Sequence, residues 1–196
     1  MTIMMKNPLV YWALWFSCTC IGLLALADHA GRPGQSARAS ALWPAQSKLQ
    51  KATNTFTLLT FLHPLCPCSR ASLAELARIQ GAAGDHLAIT VVIGLPQGLV
   101  AADAREMIET VQHIPGAQIV LDPDDVETRR FGCYTSGQAL LYSPEGKLRY
   151  QGGITGSRGH EGDNAGKSAL LAALEQTAPA AASAPVYGCC LRNGKN

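Results

Sequence analysis

Apolar positions along the chain fall into one long run near the N-terminus and then an alternation of short runs and helical periods. The long run is Pro8 to Ala27, PLVYWALWFSCTCIGLLALA, with no charge inside it. Its 20 residues meet the length of about 20 that a membrane-crossing helix needs. Lys6 precedes the run and favours a cytoplasmic N-terminus. The run ends in Ala25-Leu26-Ala27, the small-x-small form of a signal-peptidase site. Two readings of residues 1–27 therefore stand, an uncleaved anchor and a cleaved signal. The first gives a membrane-anchored domain on the extracytoplasmic side, the second a secreted or periplasmic one. Trp15, Phe16 and Ser17 put bulk where a lipoprotein signal has small residues, so Cys18 and Cys20 read as ordinary membrane-segment residues.

Residues 28–54 read as a linker. They are rich in Ala, Gly, Ser and Gln with Pro33 and Pro44, and a short helix is expected near Gln46–Ala52. The compact domain spans 55–176. Phe56–Leu62 is a buried strand, and from Ser69 the residues Leu73, Leu76 and Ile79 recur at helical spacing. Leu87–Leu95 is a continuous apolar run and so a central strand. Ala101–Val111 follows as a helix, Ala117–Leu121 as a strand and Val126–Phe131 as a short helix. Gln138–Tyr142 and Lys147–Gln151 flank Ser143-Pro144-Glu145-Gly146 as a hairpin. A glycine-rich loop, Gly152–Gly166, leads to a last helix over Ala165–Gln176. Residues 177–196 are an Ala/Pro linker, Thr177–Pro185, and a cysteine-containing tail.

Composition narrows the function. A hydrophobic share of 47% supports a core, and a formal charge of +2 with no basic stripe argues against nucleic acid. Of seven cysteines, the five outside the apolar run are Cys66, Cys68, Cys133, Cys189 and Cys190. An odd number leaves at least one thiol without an intramolecular partner in an oxidising compartment.

The candidate chemistry sits where the first strand gives way to the first helix, at Cys66-Pro67-Cys68-Ser69. A thiol at a helix N-terminus meets the positive end of the helix dipole and unpaired N–H groups, and both favour the reactive thiolate. Pro67 suits the first helical position, where its missing N–H has no partner to lose. Cys66 is the expected nucleophile and Cys68 its expected partner. A Cys66–Cys68 disulfide would be strained and easily reduced, which suits an oxidant or isomerase. The other reading lets a distant cysteine resolve: Cys133, Cys189 or Cys190. The last two sit on a linker whose random-coil reach is on the order of 20 Å, while Cys133 reads mainly as a packing residue. His63 is expected to orient the loop or to tune the thiolate by its charge. The alternative is a copper or zinc site made of His63, Cys66 and Cys68; otherwise no cofactor is implied.

The strand–helix–strand–helix–strand–helix–hairpin–helix order, with FLHPLCPCS and IVLDPDDVETRRFGCYTSGQALLYSPEGKLRYQGGI, resembles the thioredoxin-like superfamily. More narrowly, HPLCPCSRASLAEL with GGITGSRGHEGDN resembles the RedB-type redoxin-like proteins. The resemblance covers roughly 55–176. It implies an α/β thioredoxin-like fold, a central mixed sheet flanked by helices, with an N-terminal apolar helix and a C-terminal tail added. It implies Cys66 as nucleophile, and it implies that the loop after the hairpin returns to the active-site face, where Arg158, His160 and Glu161 would sit near Cys66. The other reading of the loop is a flexible connection with Asp163 or Asn164 capping the last helix. Two departures stand out. The family's resolving position falls on Ser69, and Thr135-Ser136-Gly137 stands where its cis-proline is usual, so Ser69 and Gly137 join the supporting residues.

The leading expectation is a thiol–disulfide oxidoreductase acting on exported proteins. A metal-delivery module is the alternative. A thiol peroxidase fits less well, because His63 stands where that chemistry wants a Thr.

Overall fold

The computed structural model describes residues 8–177 and 182–191. It divides into two units, residues 1–32 and 33–196. In the first, a 24-residue helix α1 (Pro8–Gly31) buries none of its side chains against the chain. At 1.5 Å per residue it is about 36 Å long, more than the ~30 Å of a bilayer's hydrocarbon core. Its apolar window has a mean hydropathy of 1.9, so it is long and apolar enough to cross a membrane.

In the second unit the apolar runs become strands β1 (Phe56–Leu62), β2 (Leu87–Leu95), β3 (Gln118–Pro123), β4 (Gln138–Tyr142) and β5 (Leu148–Gly152). Helix α2 (Cys68–Ala83) links β1 to β2. A 3-10 turn at Ala101–Ala104 and helix α3 (Arg105–Gln112) link β2 to β3. Helix α4 (Val126–Arg130) follows β3, and α5 (Ala165–Leu174) follows β5. A two-residue strand β6 (Ala182–Ser183) completes one six-stranded sheet in the order β3-β2-β1-β4-β5-β6. β1 runs parallel to β2 and antiparallel to β4. This is a thioredoxin-like fold, a mixed sheet with helices packed on it.

The central strand β1 sends Leu58 and Leu62 into one core and Leu59 and Phe61 into another, as the two-residue period of a strand buried on both faces requires. The first core is closed by Leu73, Leu76 and Ile79 of α2, Met107 and Val111 of α3 and Leu170 of α5. The second is closed differently from the sequence expectation. Residues 33–54, expected to be a linker, cover it. Ala37 and Leu49 are buried, and the Trp43 ring packs edge-on against Phe131 and Tyr142, with centroids at 5.1 and 5.2 Å. The Leu148 N–H donates to the Ala41 carbonyl at 2.9 Å. No helix forms over Gln46–Ala52; the Glu127 carboxylate instead binds the Ser47 hydroxyl at 2.7 Å and the Lys48 N–H at 3.2 Å.

The C-terminal residues also depart from expectation. β6 pairs in parallel with β5, and Val186 and Leu191 are fully buried. A free tail would bury neither.

Trp43→Ala separates a structural layer from a linker. Removing the ring should lower the unfolding free energy by about 2–4 kcal/mol, read from the urea midpoint at unchanged slope. A true linker residue would change it by less than about 0.5 kcal/mol.

Candidate active site

Strand register builds the site. Phe61 pairs with Gln138, and the Gly137 N–H donates to the Phe61 carbonyl at 2.9 Å. The loop leaving β1 therefore lies beside the loop entering β4. Two serines stitch them together. The His63 N–H donates to Ser136 Oγ at 2.9 Å. Ser69 Oγ donates to the His63 carbonyl at 3.1 Å and lies 3.1 Å from Ser136 Oγ. Gly137 has φ +91°, a region that disfavours side chains, and a Cβ there would come within 3.0 Å of Ser72 Oγ. Among the described residues no peptide bond is cis.

Pro67 precedes α2 with helical φ −62° and ψ −24°, and the Ser69 N–H closes a turn onto the Cys66 carbonyl at 3.0 Å. The helix thus opens on Cys68, one residue earlier than its periodicity predicts, and Cys66 stands just outside it. Cys66 is 3% exposed and Cys68 8%.

The third sulfur comes from the tail. The Ser136 N–H donates to the Cys189 carbonyl at 2.8 Å, Thr135 and Cys190 form an antiparallel bridge, and the Leu191 N–H donates to the Tyr134 carbonyl at 2.8 Å. Gly188 makes this approach possible, because a Cβ there would lie 1.9 Å from the Ser136 carbonyl oxygen. The tail so held brings the Cys189 thiol and N–H onto the Cys66 sulfur.

These contacts divide the three thiols. Burial opposes ionisation of Cys66. It is outweighed by the Cys189 thiol and N–H, the Cys68 N–H and the Ser136 hydroxyl, which all donate to the sulfur and hold its pKa below the ordinary thiol value. Burial raises the pKa of Cys68, and the neighbouring Cys66 charge and hydrogen bond raise it further. Cys189 is pushed up to about 12 by burial, by its bond to Cys66 and by the Cys66 and Cys68 charges. The shifts thus run in opposite directions, down at Cys66 and up at Cys68 and Cys189.

The glycine-rich loop does return to this face, through Arg158 and Gly159. The Arg158 guanidinium bonds the Gly188 carbonyl and places positive charge near Cys68 and Cys189, and the Gly159 N–H reaches Cys68. His160 is not part of the cluster. It is exposed, and its Nδ1 lies 3.1 Å from the Arg158 carbonyl. Glu161 pairs with Arg78 at 2.8 Å. The loop is pinned by buried Glu75, which accepts from the Gly162 N–H at 2.6 Å and pairs with Lys167 at 3.0 Å. Asn164 caps α5 by accepting from the Lys167 N–H at 2.8 Å.

His63 Nδ1 accepts from the Leu65 N–H at 3.2 Å, a contact that orients the loop, and burial lowers the histidine's pKa. Among the described residues no three His, Cys, Asp or Glu are grouped to hold an ion, His63, Cys66 and Cys68 included. Cys133 is fully buried in the second core, with its thiol directed 3.8 Å from the Phe131 carbonyl. Sequence reasoning missed Ser136 as a site residue; its only signal is its place one residue before Gly137.

Beside Cys66 a groove of about 400 Å³ is bordered by Pro64, Leu65, Arg70, Leu73, Glu106 and Met107.

No family model and no curated protein matches the chain. Solved structures do. An uncharacterised conserved protein from Geobacillus kaustophilus is similar at a TM-score of 0.61 and 15% identity, over 85% of this chain and 94% of that one. A hypothetical protein from Sinorhizobium meliloti 1021 is similar at 0.57 and 19%, over 82% and 93%. The exposed lipoprotein thioredoxin of Streptococcus pneumoniae aligns at 0.48 and 21%, over 63% and 86%. At these identities the first two share the fold.

Two substitutions test the assignment of thiolate donors. Ser136→Ala removes a donor from the ionised form, so the pH profile of Cys66 alkylation should move to higher pH. His63→Gln should leave that profile in place, whereas a charge-tuning histidine would move it.

Proposed function

We propose that the protein is a thiol–disulfide oxidoreductase whose nucleophile is Cys66, and that polypeptides outside the cytoplasm are its substrates. The observation that supports it best is the set of donors on the Cys66 sulfur, which stabilises a thiolate at low exposure. A thiolate attacks a disulfide sulfur to give a mixed disulfide and release the other sulfur as thiolate. The adjoining groove, with apolar Leu65, Leu73 and Met107 and the oppositely charged Arg70 and Glu106, suits the side chains that flank a substrate cysteine. Helix α1 is the proposed tether or signal that delivers the domain across the membrane, and the motifs around Cys66 and the glycine-rich loop favour a RedB-type redoxin-like protein.

The test is disulfide exchange with a disulfide-bonded polypeptide, followed for the full chain in detergent. Cys66→Ser should fall to the rate of the uncatalysed mixture and His160→Ala should keep the parent rate. A Cys66→Ser chain that retains its rate would sink the proposal.

A further inference from the structure

Resting on that reading, the tail assigns the second half of the reaction. We propose that Cys189 is the resolving thiol of Cys66, so that the oxidised enzyme carries a Cys66–Cys189 disulfide and not a Cys66–Cys68 one.

Placement carries the argument. Residues 186–191 are held by Val186 and Leu191 in the cores, by backbone bonds at Tyr134, Thr135 and Ser136 and by Arg158 on the Gly188 carbonyl. This strap fixes the Cys189 backbone on the loop that also supplies a hydroxyl to Cys66. The Cys189 thiol already bonds the Cys66 sulfur from that position. Cys68 is differently placed. Its thiol also bonds the Cys66 sulfur, but the two are separated by one residue, Pro67, in a turn closed by the Ser69 N–H on the Cys66 carbonyl. A bridge between them closes a ring within that short, stiffened turn, the strained kind of disulfide.

The groove beside Cys66 takes none of its bordering residues from the strap. A substrate disulfide entering through it meets Cys66 with Cys189 still in place. The steps balance. Cys66 thiolate attacks R–S–S–R′, forming Cys66–S–S–R and releasing R′–S⁻. Cys189 then gives up its proton and attacks the Cys66 sulfur, and R–S⁻ leaves and takes that proton as R–SH. Two electrons pass from the Cys66/Cys189 pair to the substrate, and a dithiol reductant returns the enzyme to its starting state. Burial is the first cause of the raised Cys189 pKa; capping Cys66 removes two further ones, the Cys66 charge and the hydrogen bond to it, which eases loss of the Cys189 proton.

The experiment is single-turnover reaction of the full chain with glutathione disulfide, quenched by alkylation and read by peptide mass mapping. Wild type and Cys68→Ser should both end with the Cys66 peptide joined to the Cys189 peptide. Cys189→Ser should accumulate the Cys66–glutathione adduct in place of an internal disulfide. Gly188→Ala keeps the thiol but undocks the strap, and should accumulate the same adduct. Cys189→Ser that still closes a Cys66–Cys68 bridge at the wild-type rate overturns this inference and leaves the oxidoreductase reading standing. A wild-type Cys66 that never forms the adduct or the bridge overturns both.

Discussion

The site depends on the antiparallel register of β1 with β4, closed by the Gly137 N–H on the Phe61 carbonyl. A one-residue slip would turn Leu58 and Leu62 out of the first core and Leu59 and Phe61 out of the second. Because both faces of β1 are buried, that slip has no cheap alternative packing, and the register is strongly specified. It sets the exit of β1 against the entrance of β4. Two loops with little regular structure then hold each other through Ser69, Ser136 and the His63 backbone.

On that frame the electrostatics follow from crowding. Taking a sulfur out of water favours the neutral thiol, yet donors in a low-dielectric site are worth more than they are in water. Cys66 has the donors, so the negative charge settles there. Cys68 and Cys189 sit close enough to feel that charge and are pushed the other way. Three like groups within reach of one another share a single charge, as closely spaced acids do. Position alone therefore separates the thiol whose pKa is lowered from the two whose pKa is raised.

The strands and the Cys66 junction were legible in the sequence because periodicity and a strand–helix boundary are local signals. The extra layer over residues 33–54 was not. Ala37, Trp43 and Leu49 obey no period, and what buries them is the shape left by Phe131 and Tyr142. The tail was hidden for the same reason: β6 is too short to show alternation, and the need for glycine at 188 exists only once Ser136 is beside it. Of the stretch read as an Ala/Pro linker, residues 178–181 lie outside the described residues, and 182–185 run along β5 and its neighbours. The glycine-rich loop admits two readings from its sequence, a return to the site and a flexible connection capped at Asp163 or Asn164. The loop returns through Arg158 and Gly159, Asn164 caps the helix, and His160 faces water. A loop's destination follows from topology, whereas the residue at its tip depends on how Glu75 pins it.

The serine at position 69 shows why a second thiol three residues after Cys66 is dispensable here. Ser136 has one hydroxyl proton and two lone pairs. The His63 N–H occupies one lone pair, and Ser69 lies against the same oxygen. The Ser69 proton goes to the His63 carbonyl, which holds the loop whose N–H fixes Ser136, and Ser136 donates to the Cys66 sulfur. A cysteine at 69 would be a longer, weaker hydrogen-bonding group and would loosen that loop. The helix turn thus helps to hold a donor on the Cys66 sulfur, and the strap through Gly188 brings a further thiol, Cys189, to the same sulfur.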